Sequence, residues 1–277
     1  MKLFYTIEEI EKLTNERKIT LVDVRDKDSF VEGHIPGAGN IPEIFTYLSM
    51  STEEGLQMIV DTFVPKFISA GISNDKPVVF YSDCLSGAYG AVSRGYIISL
   101  YLGHKNPGIY SNGLNEWLQL EKKLEFGDVV SEEGKFIPDI FHSVIVTKHD
   151  VLKAIDNPKI KLLDDRDQSE WDGESSSPYG IDFAPRKGRI RGSKWIAWHN
   201  FMRRDGDTVL FKSPTEIIKL CSEQDISPED EVIIYCFKGA RASNTYMALK
   251  TAGFENIKIY FASWNEWSRD LSLPVEE

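Results

Sequence analysis

Short, mostly apolar runs separated by amphipathic stretches set the rhythm of the chain. Residues 21–24 and 78–81 are runs of this kind, and residues 160–163 and 232–235 have the same character. Such runs suit strands buried on both faces of a parallel sheet. Residues 7–13 and 150–155 instead place apolar side chains at helical spacing. Residues 93–102 and 243–252 each follow a strand as an amphipathic helix. Strands alternating with helices predict an α/β fold in which a parallel sheet is covered by helices on both faces.

The pattern occurs twice. Leu21-Val-Asp-Val-Arg25-Asp26 returns as Leu162-Leu-Asp-Asp-Arg166-Asp167, and His34-Ile-Pro-Gly37-Ala38 returns as Arg189-Ile-Arg-Gly192-Ser193. Val78-Val-Phe-Tyr81 returns as Val232-Ile-Ile-Tyr235, and Gly113-Leu-Asn-Glu-Trp117 as Ser263-Trp-Asn-Glu-Trp267. The offsets between copies run 141, 155, 154 and 150. The rise of fourteen places an insert between Asp167 and Arg189, where GESSSPYGIDFAPRKG has loop composition. The fall of four places extra residues in the first copy after Tyr81. Ordered repetition of this kind implies a duplicated domain. The expected division is a first domain at 1–125, a linker at 126–140 and a second domain at 141–277. The stretch around the join is charged and carries Gly127, Gly134 and Pro138.

Composition narrows the function. Hydrophobic residues are 42% and charged residues 27% of the 277, enough to bury a core in each half. A net charge of −11 argues against a nucleic-acid partner. Three cysteines, Cys84, Cys221 and Cys236, are too few and odd in number for a disulfide scaffold, and they fit a reducing compartment. The amino-terminal stretch has no apolar core of a signal peptide, and no run is long enough to span a membrane. A cytoplasmic protein with no membrane association is the expectation. The five histidines do not cluster with cysteines at metal-ligand spacing, so no metal is expected.

The sharpest chemistry lies in Tyr235-Cys236-Phe237-Lys238-Gly239-Ala240-Arg241-Ala242. A buried strand ends at Tyr235, a short loop follows, and a helix is predicted to open near Ala242. Ligands of open α/β sheets sit at the carboxyl ends of strands. There the free N–H groups and dipole of a helix amino end favour an anion. Gly239 permits a left-handed turn, and Lys238 and Arg241 add positive charge. These features favour the thiolate of Cys236 and make it the candidate nucleophile, with no general base required.

On these residues the sequence resembles the tandem-domain rhodanese family, the thiosulfate and 3-mercaptopyruvate sulfurtransferases. The likeness rests on Asp23-x-Arg25, Asp164-x-Arg166, Gly33-His-Ile-Pro-Gly-Ala38, Gly188-Arg-Ile-Arg-Gly192, the Cys236 loop and Ser263-Trp-Asn-Glu-Trp267, and it spans nearly the whole chain. It implies two rhodanese-like domains, of which the second is catalytic. It implies that Cys236 takes the outer sulfur of a small anionic donor, becomes a persulfide, and passes sulfur to cyanide, a small thiol or a thiol protein, without a cofactor. The substrate-binding residues would be Phe237, Lys238, Gly239, Ala240, Arg241 and Ala242, with Arg166 able to orient substrate. In the family a basic residue two positions after the cysteine goes with thiosulfate and a serine with mercaptopyruvate, so Lys238 points to thiosulfate. Two departures stand out: Phe237 and Arg241 differ from the usual loops, and Glu170 stands where a second substrate-facing arginine is common. Arg186, Lys187, Arg189 and Arg191 could restore the missing charge or could form a solvated basic loop.

Competing readings remain at this stage. Phosphatases carry a longer Cys-x5-Arg loop, whereas Arg241 follows Cys236 as Cys-x4-Arg. In the first copy, alignment on the strand-end tyrosine sets Ser82 opposite Cys236, while alignment on Gly-Ala sets Cys84 there. A persulfide carrier serving a protein partner is the alternative within the same chemistry. A non-catalytic interaction module is the alternative for the first domain.

Overall fold

The computed structural model describes residues 2–129 and 132–276. Residues 130 and 131, inside the linker expected at 126–140, lie outside the described residues. The chain packs into two units. The first comprises Met1–Tyr47, Gln57–Phe141 and Arg204–Leu210; the second comprises Leu48–Leu56, His142–Arg203 and Phe211–Glu277. Two short segments therefore group with the unit other than the one that surrounds them in sequence.

In the first unit, strands β1 (Thr20–Asp23), β2 (Gly39–Asn40), β3 (Val78–Tyr81) and β4 (Pro107–Ile109) form a parallel sheet in the order β2-β1-β3-β4. Every residue of β1 and β3 is buried, as expected of apolar strands covered on both sides. Tyr5, Ile7, Ile10, Phe30, Leu114 and Trp117 cluster with Leu21, Val79 and Tyr81 of the sheet. The helix Ala91–Tyr101 is buried along nearly its whole length.

The second unit repeats this plan. The strands that follow are β5 (Ile160–Asp164), β6 (Arg189–Ile190), β7 (Lys194–Trp195), β8 (Met202–Asp205), β9 (Thr208–Phe211), β10 (Glu231–Tyr235), β11 (Ile257–Ile259) and β12 (Val275–Glu276), of which β8 and β9 include the segment Arg204–Leu210 that groups with the first unit. The main sheet is parallel, in the order β11-β10-β5-β7. Read from the opposite edge, that is the order of the first unit. The shorter pairs are β12 with β6 and β8 with β9. Side chains alternate across the strands. Ile233 and Tyr235 of β10 face a cluster with Val151, Ala154, Trp264 and Trp267, and Val232 and Ile234 point the other way. The helix Ala240–Thr251 packs on β10 and β11, so both faces are covered.

Local chemistry sets the helix starts. Thr147 opens Lys148–Ile155 with a capping box: its Oγ1 accepts from Asp150 N (3.3 Å), and Asp150 Oδ2 accepts from Thr147 N (3.0 Å). Ser213 and Glu216 open Pro214–Ser222 in the same way. The predicted elements recur in the structure with ends shifted by up to three residues; the helix expected near Ala242 begins at Ala240.

Candidate active site

β10 ends at Tyr235, so Cys236 emerges at the carboxyl edge of the sheet, one short loop ahead of the helix Ala240–Thr251. Gly239 caps that helix with φ +88, a left-handed conformation that suits glycine. A Cβ there would lie 2.8 Å from Phe261 O. The turn aims the Gly239 N–H at Cys236 Sγ, 3.0 Å away. Two further bonds pin the loop: Trp264 N donates to Cys236 O (3.0 Å) and Asn265 N to Phe237 O (2.9 Å). Ser263 Oγ accepts from Cys236 N (3.2 Å) and donates to Tyr260 O (2.8 Å). Its single proton is thereby used, so at 4.0 Å from Cys236 Sγ the hydroxyl is a polar neighbour rather than a donor. Ala240 and Ala242, at the start of that helix, are buried. The sulfur is thus held, at 1% residue exposure, by a helix amino end that favours negative charge.

The charges around the loop are matched in a way the sequence did not reveal. Arg241 is buried, and its guanidinium grips Glu170 through Nη1–Oε2 (2.5 Å) and Nη2–Oε1 (3.0 Å), with Asp167 Oδ2 3.1 Å from Nη1. Burial opposes its charge, but Glu170 and then Cys236 and Asp167 more than offset this and hold the guanidinium above its ordinary range. The acidic residue standing in the place of a second arginine is therefore the partner of the other departure in the pattern. Charge complementarity at those two positions was the available signal.

Arg166 is wholly buried. Its Nε lies 2.9 Å from Asp164 Oδ1, and Nη2 donates to Asp164 Oδ2 (2.6 Å) and Gly188 O (2.8 Å). It also lies over the Trp264 ring, 4.5 Å from the centroid. Tyr235 completes the network, donating to Asp164 Oδ2 (2.7 Å) and accepting from Ile190 N (3.1 Å). Asp165, which the sequence reading passed over, is also wholly buried. Thr245 Oγ1 donates to its Oδ2 (2.7 Å), and its Oδ1 has no hydrogen-bond partner among the described residues.

The basic residues of the insert act as clamps. Arg186 donates to the carbonyls of Trp267, Ser268, Asp270 and Leu273 at 2.5–3.0 Å. Lys187 bonds Glu174 O, Arg189 bonds Trp171 O, and Arg191 pairs with Asp156. Between these anchors, Tyr179 lies 5.2 Å from the Phe237 ring, and Lys238 Nζ lies 5.0 Å from the Tyr179 centroid.

The first unit repeats the framework without the thiol. Arg25 forks onto Asp23 and donates to Gly33 O (2.7 Å), and Tyr81 OH accepts from Ile35 N (3.0 Å). Leu114 N donates to Ser82 O (2.9 Å) and Asn115 N to Asp83 O (3.0 Å), the counterparts of the bonds that pin Cys236 and Phe237. Ser82 therefore occupies the position of Cys236. Cys84 lies two residues further on, in the longer loop before Ala91–Tyr101, with Sγ 3.4 Å from Ser86 Oγ.

Comparison with known proteins matches the same framework. The rhodanese-like domain family model matches residues 6–120 and 147–270. The chain is 30% identical over 266 residues to a Haloferax volcanii protein provisionally named thiosulfate sulfurtransferase, covering 94% of this chain and 88% of that one. It is 27% identical over 283 residues to the Thermus thermophilus sulfur carrier protein TtuD, covering 96% and 93%. The crystal structure of SseA from Escherichia coli, whose title names the rhodanese fold of 3-mercaptopyruvate sulfotransferases, superposes with a TM-score of 0.77 at 22% identity, covering 95% of this chain and 99% of that one. With two copies of the domain and a sulfurtransferase kinship spanning nearly its full length, the chain belongs to the tandem-domain rhodanese family of sulfurtransferases.

Proposed function

We propose that the protein transfers sulfane sulfur from thiosulfate to a thiophilic acceptor through a persulfide on Cys236. The Cys236 thiolate attacks the outer sulfur of the donor. The bond between that sulfur and the sulfonate breaks, and sulfite departs with the electron pair. Cyanide or a thiolate then takes the outer sulfur of the persulfide and regenerates the Cys236 thiolate. The observation that carries this reading is the Gly239 N–H aimed at Cys236 Sγ from 3.0 Å, at a helix amino end suited to holding a sulfur anion. Lys238 is the basic residue that favours the dianionic donor. Arg241, matched by Glu170, fixes the loop, and Arg166, matched by Asp164, shapes the strand end behind it. Three unpaired thiols fit a reducing cytoplasmic setting. Likeness to a sulfur carrier protein supports a second reading, delivery of the same persulfide to a protein acceptor.

Steady-state assays with thiosulfate and cyanide, run beside 3-mercaptopyruvate and cyanide, test the donor. Thiosulfate is expected to give the higher kcat/KM, and Lys238→Ser is expected to lower that value by about tenfold, the equivalent of roughly 1.4 kcal/mol. A higher kcat/KM for mercaptopyruvate would overturn the donor assignment. Stable sulfur loading without turnover of either donor would favour the carrier.

A further inference from the structure

Tyr179 has no part in the sulfur chemistry described above, yet its ring lies against Phe237 and the Lys238 ammonium, the two residues that follow the nucleophile. The insert that carries it is anchored at its far end, where Arg186 grips four carbonyls and Trp264 Nε1 donates to Arg186 O (3.0 Å). At its near end, Tyr179 N donates to Ser177 Oγ (3.2 Å), which in turn donates to Gly180 O (3.0 Å). Phe183 supports the tyrosine ring from 5.6 Å. On its other side the ring meets Phe237 and the Lys238 ammonium. Tyr179 remains 39% exposed, whereas Lys238 is 7%, Phe237 2% and Cys236 1% exposed. Reaching a sulfur that closed off requires side chains of the loop to move, and Phe237 and Lys238, which follow it, both lie against the Tyr179 ring.

We propose that Tyr179 is a specificity-determining residue that selects anionic reactants for Cys236. Its π face holds the Lys238 ammonium by a cation–π contact. An anion can exchange that contact for a stronger ion pair with Lys238 and so displace the ring. A neutral reactant offers Lys238 nothing in return and leaves that contact in place. This inference rests on Cys236 being the reactive thiol, and deepens that reading by assigning its selectivity to the insert.

Alkylation separates the two claims, because it reads access to Cys236 without requiring sulfur transfer. Rates with anionic iodoacetate and neutral iodoacetamide are measured at Cys236 by peptide mass mapping, each normalised to a free cysteine peptide. The parent protein should favour iodoacetate. Tyr179→Ala should raise the iodoacetamide rate about tenfold and erase most of the preference for the anion. Tyr179→Phe, which keeps the π face, should behave as the parent. Tyr179→Leu, which keeps apolar cover but loses that face, should also lose the preference. Parent-like rates and preference in both the alanine and leucine variants would overturn the assignment. A parent protein that alkylates as expected but transfers no sulfur would count against the catalytic reading instead.

Discussion

Asp165 is a carboxyl with no exposure and, among the described residues, one hydrogen bond, from Thr245. Burial drives it well above the usual carboxylate range, against the smaller opposing pull of Thr245 and the Arg241 charge. The native state therefore keeps a proton that the unfolded chain releases, and stability falls as pH rises through the native value. Asp165→Asn keeps the shape and removes the ionisation. Its stability relative to the parent should grow as pH rises above the ordinary carboxylate range, as read by urea titrations at a series of pH values. A difference independent of pH would contradict this account. Glu170 and Arg241 show the opposite solution for buried charge, a bidentate pair that satisfies both groups. Neither arrangement can be read from the chain alone. Glu170 and Arg241 are 71 residues apart, and each looked like an isolated departure until the fold joined them.

At the scale of elements, the strands and principal helices were legible because their apolar spacing is strong and their sequence order repeats. The loop–helix junction was legible as well, since Cys-x-x-Gly after a buried strand marks where the chain turns into a helix amino end. Gly239 is the hinge of that junction. Gly239→Ala must adopt φ near +88 with a Cβ 2.8 Å from both Phe261 O and the Phe261 ring. The loop should shift, with a stability loss of about 2 kcal/mol or more from strain and crowding. Thermal unfolding checks the stability, and sulfur loading checks whether the Gly239 N–H still reaches Cys236. Unchanged stability together with unchanged loading would remove the turn from the mechanism. The insert was visible as a loop, but Arg186, Lys187 and Arg189 at its end gave no sign that they would bond backbone carbonyls. Hydrogen bonds such as those from Arg186 to residues 267–273 depend on chain segments that meet only in the folded protein.

At the scale of the whole molecule, the two units share a framework and differ at the residue after the strand-end tyrosine. Both units hold an aspartate–arginine fork at the first central strand and a tyrosine at the end of the second. At the next position one has Ser82 and the other Cys236. Sequence alone allowed two alignments of the first copy; the matched backbone bonds pair Ser82 with Cys236 in position. On the proposed mechanism one thiol, Cys236, carries the transferred sulfur. The most direct test is intact mass measurement after brief exposure to thiosulfate, with removal of excess donor, for the parent protein, Cys236→Ser and Cys84→Ser. One added sulfur atom, lost on addition of cyanide, is expected in the parent and in Cys84→Ser and not in Cys236→Ser. An adduct that persists in Cys236→Ser and disappears in Cys84→Ser would contradict the account and move the chemistry to the first unit.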